Sequence, residues 1–276
     1  MLSSQATLGS PVLSDQAFAK IRQFFFRRSG IDLTESKRHL VAGRLRSRVL
    51  ALGLDCYEAY FELIQRPDQS AERQRLIDSL TTNETYFFRE PKHFEFLTQQ
   101  ILPQYQSRAI RIWCAAASTG EEPYSLAMQL AETRGLQGWS LLGTDISQRT
   151  LSCAAAGLYP LQRLELMPPA LLRNWCLRGT GEYEGRFLVR RELRERIEWQ
   201  SHNLLESAVH LGQFDVIFLR NVLIYFSQAT KQRVLDQVVA QLKPGGWLII
   251  GHAESLHGLN TPLKTVRPSI FRRLSD

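Results

Sequence analysis

From Ser14 to about Leu80 the apolar positions recur at helical spacing. Phe18, Ile21, Phe24 and Phe25 predict a first helix that Ser14 caps and Gly30 ends. Leu40, Val41, Leu45, Val49 and Leu52 predict a second, capped by Ser36 and ended by Gly53; Tyr57, Tyr60, Phe61 and Ile64 a third, behind Asp55 and Glu58 as a capping box; Leu76 to Leu80 a fourth, capped by Ser70. After about His93 the rhythm changes. Apolar runs at Ile110 to Ala115, Ser140 to Thr144, Phe214 to Leu219 and Trp247 to Ile250 alternate with helical segments, which predicts a parallel sheet covered on both faces, with ligands at the carboxyl ends of its strands. A Pro, Gly and Arg rich insertion with short strand-like pieces such as Arg186 to Arg190 interrupts the alternation. The expected organisation is a helical domain over 1–85 and a Rossmann-like α/β domain over 86–276, with 157–200 as an insertion forming a small β-subdomain.

Composition narrows the class. At 276 residues, 44% hydrophobic and 22% charged, the chain can bury a full core. Cys56, Cys114, Cys153 and Cys176 are scattered without the paired spacing of a zinc site or the density of a disulfide framework, so reduced thiols are expected. The N-terminus shows neither a basic start nor an apolar core, and no run approaches the roughly 18 apolar residues of a membrane span, which points to a cytoplasmic protein without membrane insertion. A net charge of +7 invites a nucleic-acid partner, but a modest excess spread over a whole chain is ordinarily a solvated surface. The one local concentration, Lys37, Arg38, Arg44, Arg46 and Arg48, falls on the second predicted helix, with Arg44 and Arg48 one turn apart.

The first predicted strand of the α/β domain runs into Ala115-Ala-Ala-Ser-Thr-Gly120, a turn small enough for the backbone to approach a ligand closely. Glu121, Glu122 and Pro123 then open a helix. As first-turn residues they suit the helix dipole, and capping alone would explain them. Two carboxylates at this place would nevertheless repel a pyrophosphate and attract an ammonium or a sulfonium, and S-adenosylmethionine carries both cations and no phosphate. Asp145 ends the next strand, at the separation where an acid grips ribose hydroxyls; capping the helix that follows is the competing reading. Arg220, Asn221 and Tyr225 follow the apolar strand Phe214 to Leu219, Asn203 follows the strand before it, and His252 follows the last.

Five segments in series resemble the CheR family of chemotaxis receptor methyltransferases: Thr81-Thr-Asn-Glu-Thr-Tyr-Phe-Phe-Arg-Glu90, Ala115 to Tyr124, Gly143-Thr-Asp-Ile146, Arg220-Asn-Val-Leu-Ile-Tyr-Phe226 and Lys243-Pro-Gly-Gly246. The resemblance spans about Phe18 to Leu274. It implies a helical N-terminal domain, a Rossmann-like S-adenosylmethionine-dependent methyltransferase domain, and methyl transfer to glutamates on the cytoplasmic domain of a methyl-accepting chemoreceptor. It implies donor contacts from Asn83, Thr85, Arg89, Glu122, Asp145, Asn203, Leu204, Arg220 and Asn221, with Glu122 preferred over Glu121 for the donor's ammonium. Arg89 and Tyr225 would line the place where methyl and carboxylate meet. The family's acidic helical substrates make Arg44 and Arg48 candidates for receptor docking, and the insertion matches the place where some members carry a β-subdomain that tethers a receptor tail.

The expected chemistry is spare. A glutamate carboxylate is already ionised at neutral pH, so the acceptor needs no general base, and the sequence shows no Ser/His/Asp set, no metal-ligand cluster and no Asn-Pro-Pro-Tyr type motif. Positioning and water exclusion would supply most of the acceleration. A monomer is expected, with no metal and no nucleic acid. The competing functions are a catalytically silent donor-binding signalling module and a nucleic-acid methyltransferase.

Overall fold

The computed structural model describes residues 11–274, so most of the N-terminal stretch read for a leader lies outside the described residues. The chain divides into two compact units, Met1–Thr82 and Asn83–Asp276, three residues before the boundary expected at 85.

The first unit is all helical: α1 (Asp15–Ser29), α2 (Arg38–Ala51), α3 (Tyr57–Gln65) and α4 (Ser70–Leu80). Ser14 caps α1 through its hydroxyl oxygen, which accepts from Ala17 N at 3.1 Å, and Gly30 ends it in the left-handed conformation at φ 74°. Three expected caps are replaced. The chain enters α2 through a 3₁₀ turn, Glu35–Lys37, whose cap position is Thr34, so Ser36 lies inside the turn and bonds to Thr34. The α3 cap is Cys56, whose sulfur accepts from Ala59 N, and no Asp55 box forms because the Glu58 carboxylate is taken by the Ser14 hydroxyl. Ser70 is the first residue of α4, behind Gln69 at the cap position. The apolar faces meet in a core where Phe18, Ile21, Phe25, Val41, Leu45 and Tyr60 are almost wholly buried.

The arginines read as a docking face have bonds within this unit. Arg48 forks onto Glu72, Nε to Oε1 at 2.9 Å and Nη2 to Oε2 at 2.7 Å, and Glu72 also receives the Tyr60 hydroxyl at 3.1 Å and Arg75 at 3.0 Å. Burial raises the Glu72 pKa, but these partners outweigh it and hold the carboxyl below its ordinary value. Arg44 Nη1 donates to the carbonyls of Leu80 and Thr81, at 2.9 and 3.1 Å, satisfying the C-terminal end of α4.

In the second unit a short helix, α5 (Lys92–Phe96), precedes the alternation of β1 (Ile110–Ala115), α6 (Glu121–Arg134), β2 (Trp139–Asp145) and α7 (Gln148–Ala156). Next come β3 (Leu158–Pro160), α8 (Pro169–Trp175), β4 (Cys176–Arg178), β5 (Arg186–Val189) and α9 (Arg191–Arg194). The chain finishes with β6 (Ile197–Ser201), β7 (Phe214–Leu219), α10 (Gln228–Ala240), β8 (Leu242–Ile250), β9 (Leu263–Arg267) and β10 (Ile270–Arg273). The main sheet has the order β6-β2-β1-β7-β8-β10-β9; the first five are parallel, and β10 runs antiparallel to both its neighbours. Every residue of β7 is buried, as a strand covered on both faces requires. The chain reverses its direction of travel across the sheet at β1, which places a crevice beyond the carboxyl ends of β1, β2, β6 and β7.

The insertion forms its own antiparallel sheet, β3-β5-β4. It is shorter than 157–200, however, because Ile197 to Ser201 pair in parallel with Leu141 to Asp145 as an edge strand of the main sheet. Among the described residues no helix is long and apolar enough to cross a membrane.

Gly120, at φ 95°, joins β1 to α6 where a Cβ would lie 2.8 Å from Ala154 Cβ and 2.9 Å from the Tyr159 hydroxyl. Tyr159 also donates to the Thr119 carbonyl at 2.6 Å, so the insertion's first strand backs the turn. Gly120→Ala therefore combines left-handed strain with a clash, and a loss of about 2–3 kcal/mol is expected. A shift in the urea midpoint without a change in slope would report it.

Candidate active site

The tight turn after β1 is held by the end of β2. Ala116 and Ser118 have positive φ, 120° and 50°, and the Thr144 carbonyl accepts from Ala116 N at 3.0 Å and Ala117 N at 2.8 Å. Asp145 continues the pattern with its side chain: Oδ2 accepts from Ser118 N at 2.8 Å and Oδ1 from Ser147 N at 2.9 Å. Capping α7 falls to Ser147, whose hydroxyl accepts from Thr150 N, which leaves Asp145 tied to the turn and to the start of α7. The Asp145 carbonyl accepts from His202 N at 3.1 Å and so brings Asn203 and Leu204 beside it; Asn203 Oδ1 accepts from Leu205 N at 3.1 Å in an Asx turn. On the other side the Ser118 hydroxyl reaches the Asn83 carbonyl at 3.3 Å. Thr85 is buried, and its carbonyl accepts from Arg163. Asn83, Asp145 and Asn203 are thus gathered around one turn, Thr85 two residues from Asn83.

A second cluster centres on Arg220, whose side chain is 1% exposed. Nη1 meets Glu122 Oε2 at 2.6 Å; Nη2 meets Glu90 Oε2 at 3.0 Å and the Arg89 carbonyl. Burial disfavours the Arg220 charge, but the two carboxylates more than restore it and raise its pKa. For Glu90, burial is likewise outweighed, by Arg220, the Asn221 amide at 3.2 Å and His252 N at 3.2 Å, and its pKa falls below the ordinary value. For Glu122 burial outweighs Arg220 and raises its pKa; with both carboxylates ionised, two acids around one guanidinium leave one negative charge, the complement of a single bound cation.

Neighbouring Glu121 and Glu122 diverge, as consecutive helical residues must. Glu121 is 1% exposed and turns toward Thr119, whose hydroxyl it accepts at 2.6 Å, and Arg163 at 3.8 Å. The Arg89 guanidinium donates to the Glu84 carbonyl at 2.9 Å and lies over the Tyr86 ring at 5.5 Å; its sequence neighbour Glu90 pairs with Arg220 instead. Asn221 adopts φ 58°, and Tyr225 closes the short turn Leu223–Tyr225, half-buried.

Glu90, His93 and His252 form the one group among the described residues whose ligand atoms lie close enough for a metal, within 4.8 Å of one another. Arg220 already supplies the cation there. Burial drives the His93 pKa down to about 3, so the imidazole is neutral, with Nε2 at 2.8 Å from the Ser269 hydroxyl. A histidine whose folded pKa lies below its ordinary value of about 6.5 contributes stability that is complete above that pH and lost as pH falls toward the folded value. Between pH 6.5 and 4, unfolding free energy should fall by up to about 1.4 kcal/mol per pH unit through His93. Urea titrations of His93→Gln should show that slope reduced by up to one proton.

Two residues that organise the crevice escaped the sequence reading as site residues, Glu90 and Glu254. The available signal was position: Glu254 follows the carboxyl end of β8, and Glu90 ends the Thr81 to Glu90 segment.

The profile described as CheR methyltransferase, all-alpha domain, matches residues 16–81, and that described as CheR methyltransferase, SAM binding domain, matches residues 83–271. The chain belongs to the CheR methyltransferase family. The chemotaxis protein methyltransferases of Salmonella typhimurium and Escherichia coli are each 42% identical to it over 250 residues, 90% of this chain and 86% and 87% of theirs. Chemotaxis protein methyltransferase 2 of Pseudomonas aeruginosa is 40% identical over 273 residues, 95% of this chain and 97% of that protein. Both units of a CheR methyltransferase are therefore present, and the methyl donor is S-adenosylmethionine. The crevice fits that donor in charge, through the residual anion of the Glu90–Arg220–Glu122 cluster, and in space, through the small residues of the 115–120 turn.

Proposed function

We propose that the protein methylates glutamate side chains on the cytoplasmic domain of a chemoreceptor, forming methyl esters, as a protein-glutamate O-methyltransferase. The observation that carries this reading is Arg89. Among the described residues no ion pair answers its charge, whereas Arg220 is neutralised by two acids, so Arg89 can draw an anionic acceptor to the crevice. The bound donor supplies an electrophilic methyl on sulfur: the S–C bond breaks as the carboxylate oxygen forms the O–C bond, and no proton moves. The protein's part is alignment. Glu122, with Arg220 and Glu90 behind it, presents negative charge to the ammonium; Asp145 faces the ribose, flanked by Asn83, Thr85, Asn203 and Leu204; Asn221 and Tyr225 bound the methyl side. A well-oriented pair of reactants can be worth roughly 7–11 kcal/mol of barrier without acid or base catalysis.

The test is incubation with methyl-labelled S-adenosylmethionine and a cognate receptor fragment. Base-labile label on glutamate is expected. A protein that binds S-adenosylhomocysteine in calorimetry yet leaves no ester would instead be a silent signalling module.

Docking of the acidic receptor bundle on α2, through Arg44 and Arg48, belongs to the same proposal. Because both guanidinium groups also bond within their own unit, charge must be separated from geometry. Lysine at both positions keeps the charge and should leave the receptor KM within about two-fold, while glutamate should raise KM and flatten its salt dependence. Equal effects of lysine and glutamate would assign these arginines to stability alone.

A further inference from the structure

The strands β7 and β8 are parallel neighbours with Leu219 opposite Ile250, so the chain leaves both at the same height. Beyond β7 the backbone departs from the ladder, and the N–H groups of Asn221, Leu223 and Ile224 lose their strand partners. Beyond β8 the chain folds back, Glu254 N to the Gly251 carbonyl at 3.0 Å, and turns the Glu254 carboxylate toward those groups. Oε2 accepts from Gly251 N at 2.6 Å and Asn221 N at 2.9 Å; Oε1 accepts from Leu223 N at 2.6 Å and Ile224 N at 3.3 Å. Four backbone donors converge on one side chain.

The arrangement has a specific consequence for the crevice. Asn221 sits at φ 58°, in the left-handed region that asparagine adopts more readily than most residues, and its neighbours hold it there. Its N–H is fixed by Glu254 and its amide by Glu90, and the turn Leu223–Tyr225 hangs on the same carboxylate. Gly251 permits the approach: a Cβ there would lie 2.5 Å from Asn221 Nδ2 and 2.9 Å from Glu254 Oε2.

We propose that Glu254 is a positioning residue for methyl transfer, fixing Asn221 and Tyr225 by gathering the backbone N–H groups that follow β7 and β8. The proposal deepens the methyl-transfer reading and rests on it for turnover alone; its binding arm uses S-adenosylhomocysteine and does not involve the acceptor. Glu254→Gln keeps the length but replaces one accepting oxygen by a donor that opposes the N–H groups. Its affinity for S-adenosylhomocysteine by calorimetry, and kcat per folded molecule, should each fall about ten-fold or more. Glu254→Asp, which keeps both oxygens, should recover part of kcat. Affinity and kcat within two-fold of the parent in folded Glu254→Gln would overturn the proposal, as would a loss that only follows the unfolded fraction. Should the glutamine variant fail to fold, hydrogen exchange of the parent decides: slow exchange at the Leu223 and Ile224 amides is expected, and exchange at the unprotected rate refutes the clamp. Absence of glutamate ester with the parent protein would end the acceptor reading and leave the calorimetric and exchange results to judge Glu254.

Discussion

Arg220→Met should lower the unfolding free energy of the methyltransferase unit by about 3–5 kcal/mol, the range for removing one partner of a buried ionic network. The side chain is 1% exposed and answers Glu122 at 2.6 Å and Glu90 at 3.0 Å; without it two carboxylates face each other with no cation. Methionine fills much of the volume, so the loss reports charge and not a cavity. The deficit should also depend on pH in a set direction. In the parent, Glu90 has a depressed pKa, so its contribution is complete above the ordinary carboxylate value near 4.3 and lost as pH falls through the folded value. In the variant both acids are held in an uncompensated site, where protonation relieves them. Parent and variant should therefore differ most near pH 8 and converge toward pH 5 in guanidinium titrations. Adding Glu90→Gln and Glu122→Gln to Arg220→Met should restore part of the stability at pH 8 but not donor binding. A deficit that does not vary with pH would mean that the methionine variant fails for a reason other than stranded charge.

The strands β1, β2, β7 and β8 and the turn at Ala115 to Gly120 were legible because each rests on local pattern; β9 and β10, whose antiparallel pairing extends the otherwise parallel sheet, were not, and the preference for Glu122 over Glu121 came from the family resemblance. The caps of α2 and α3 were less legible: Ser36 and Asp55 are suitable residue types, but the 3₁₀ entry to α2 and the use of Glu58 by Ser14 depend on neighbours that local propensity does not include. The Arg220 cluster joins residues 98 and 130 apart along the chain, and only the packed sheet brings them within bonding distance. Glu90 shows the same limit, since it lies beside Arg89 in sequence and the fold pairs it with Arg220. Arg44 and Arg48 have helical spacing on one face, and spacing alone does not distinguish a solvated cation from one that satisfies the end of α4 or the buried Glu72.

Asp145→Asn carries the largest effect expected on donor affinity. The side chain shapes the turn and, in the proposed reading, meets the ribose, and one substitution can separate the two. Its oxygens accept from Ser118 N and Ser147 N, at 2.8 and 2.9 Å, and an asparagine of the same shape offers one oxygen and turns an amide against the other N–H. That conflict alone should cost about 1–3 kcal/mol of stability. Direct recognition of the ribose hydroxyls would add to it a loss of S-adenosylhomocysteine affinity of roughly a hundred-fold, because a carboxylate accepts from vicinal hydroxyls more strongly than an amide does. Calorimetry on parent and variant with S-adenosylhomocysteine and with its analogue lacking both ribose hydroxyls closes a cycle. If Asp145 touches the ribose, the substitution weakens the complete ligand and leaves the analogue nearly unaffected. If the carboxylate serves only to shape the turn at Ser118, both ligands lose affinity equally and the coupling is zero; that result would remove the ribose from its role while leaving the turn, and the charge of the Arg220 cluster, as the basis of donor recognition.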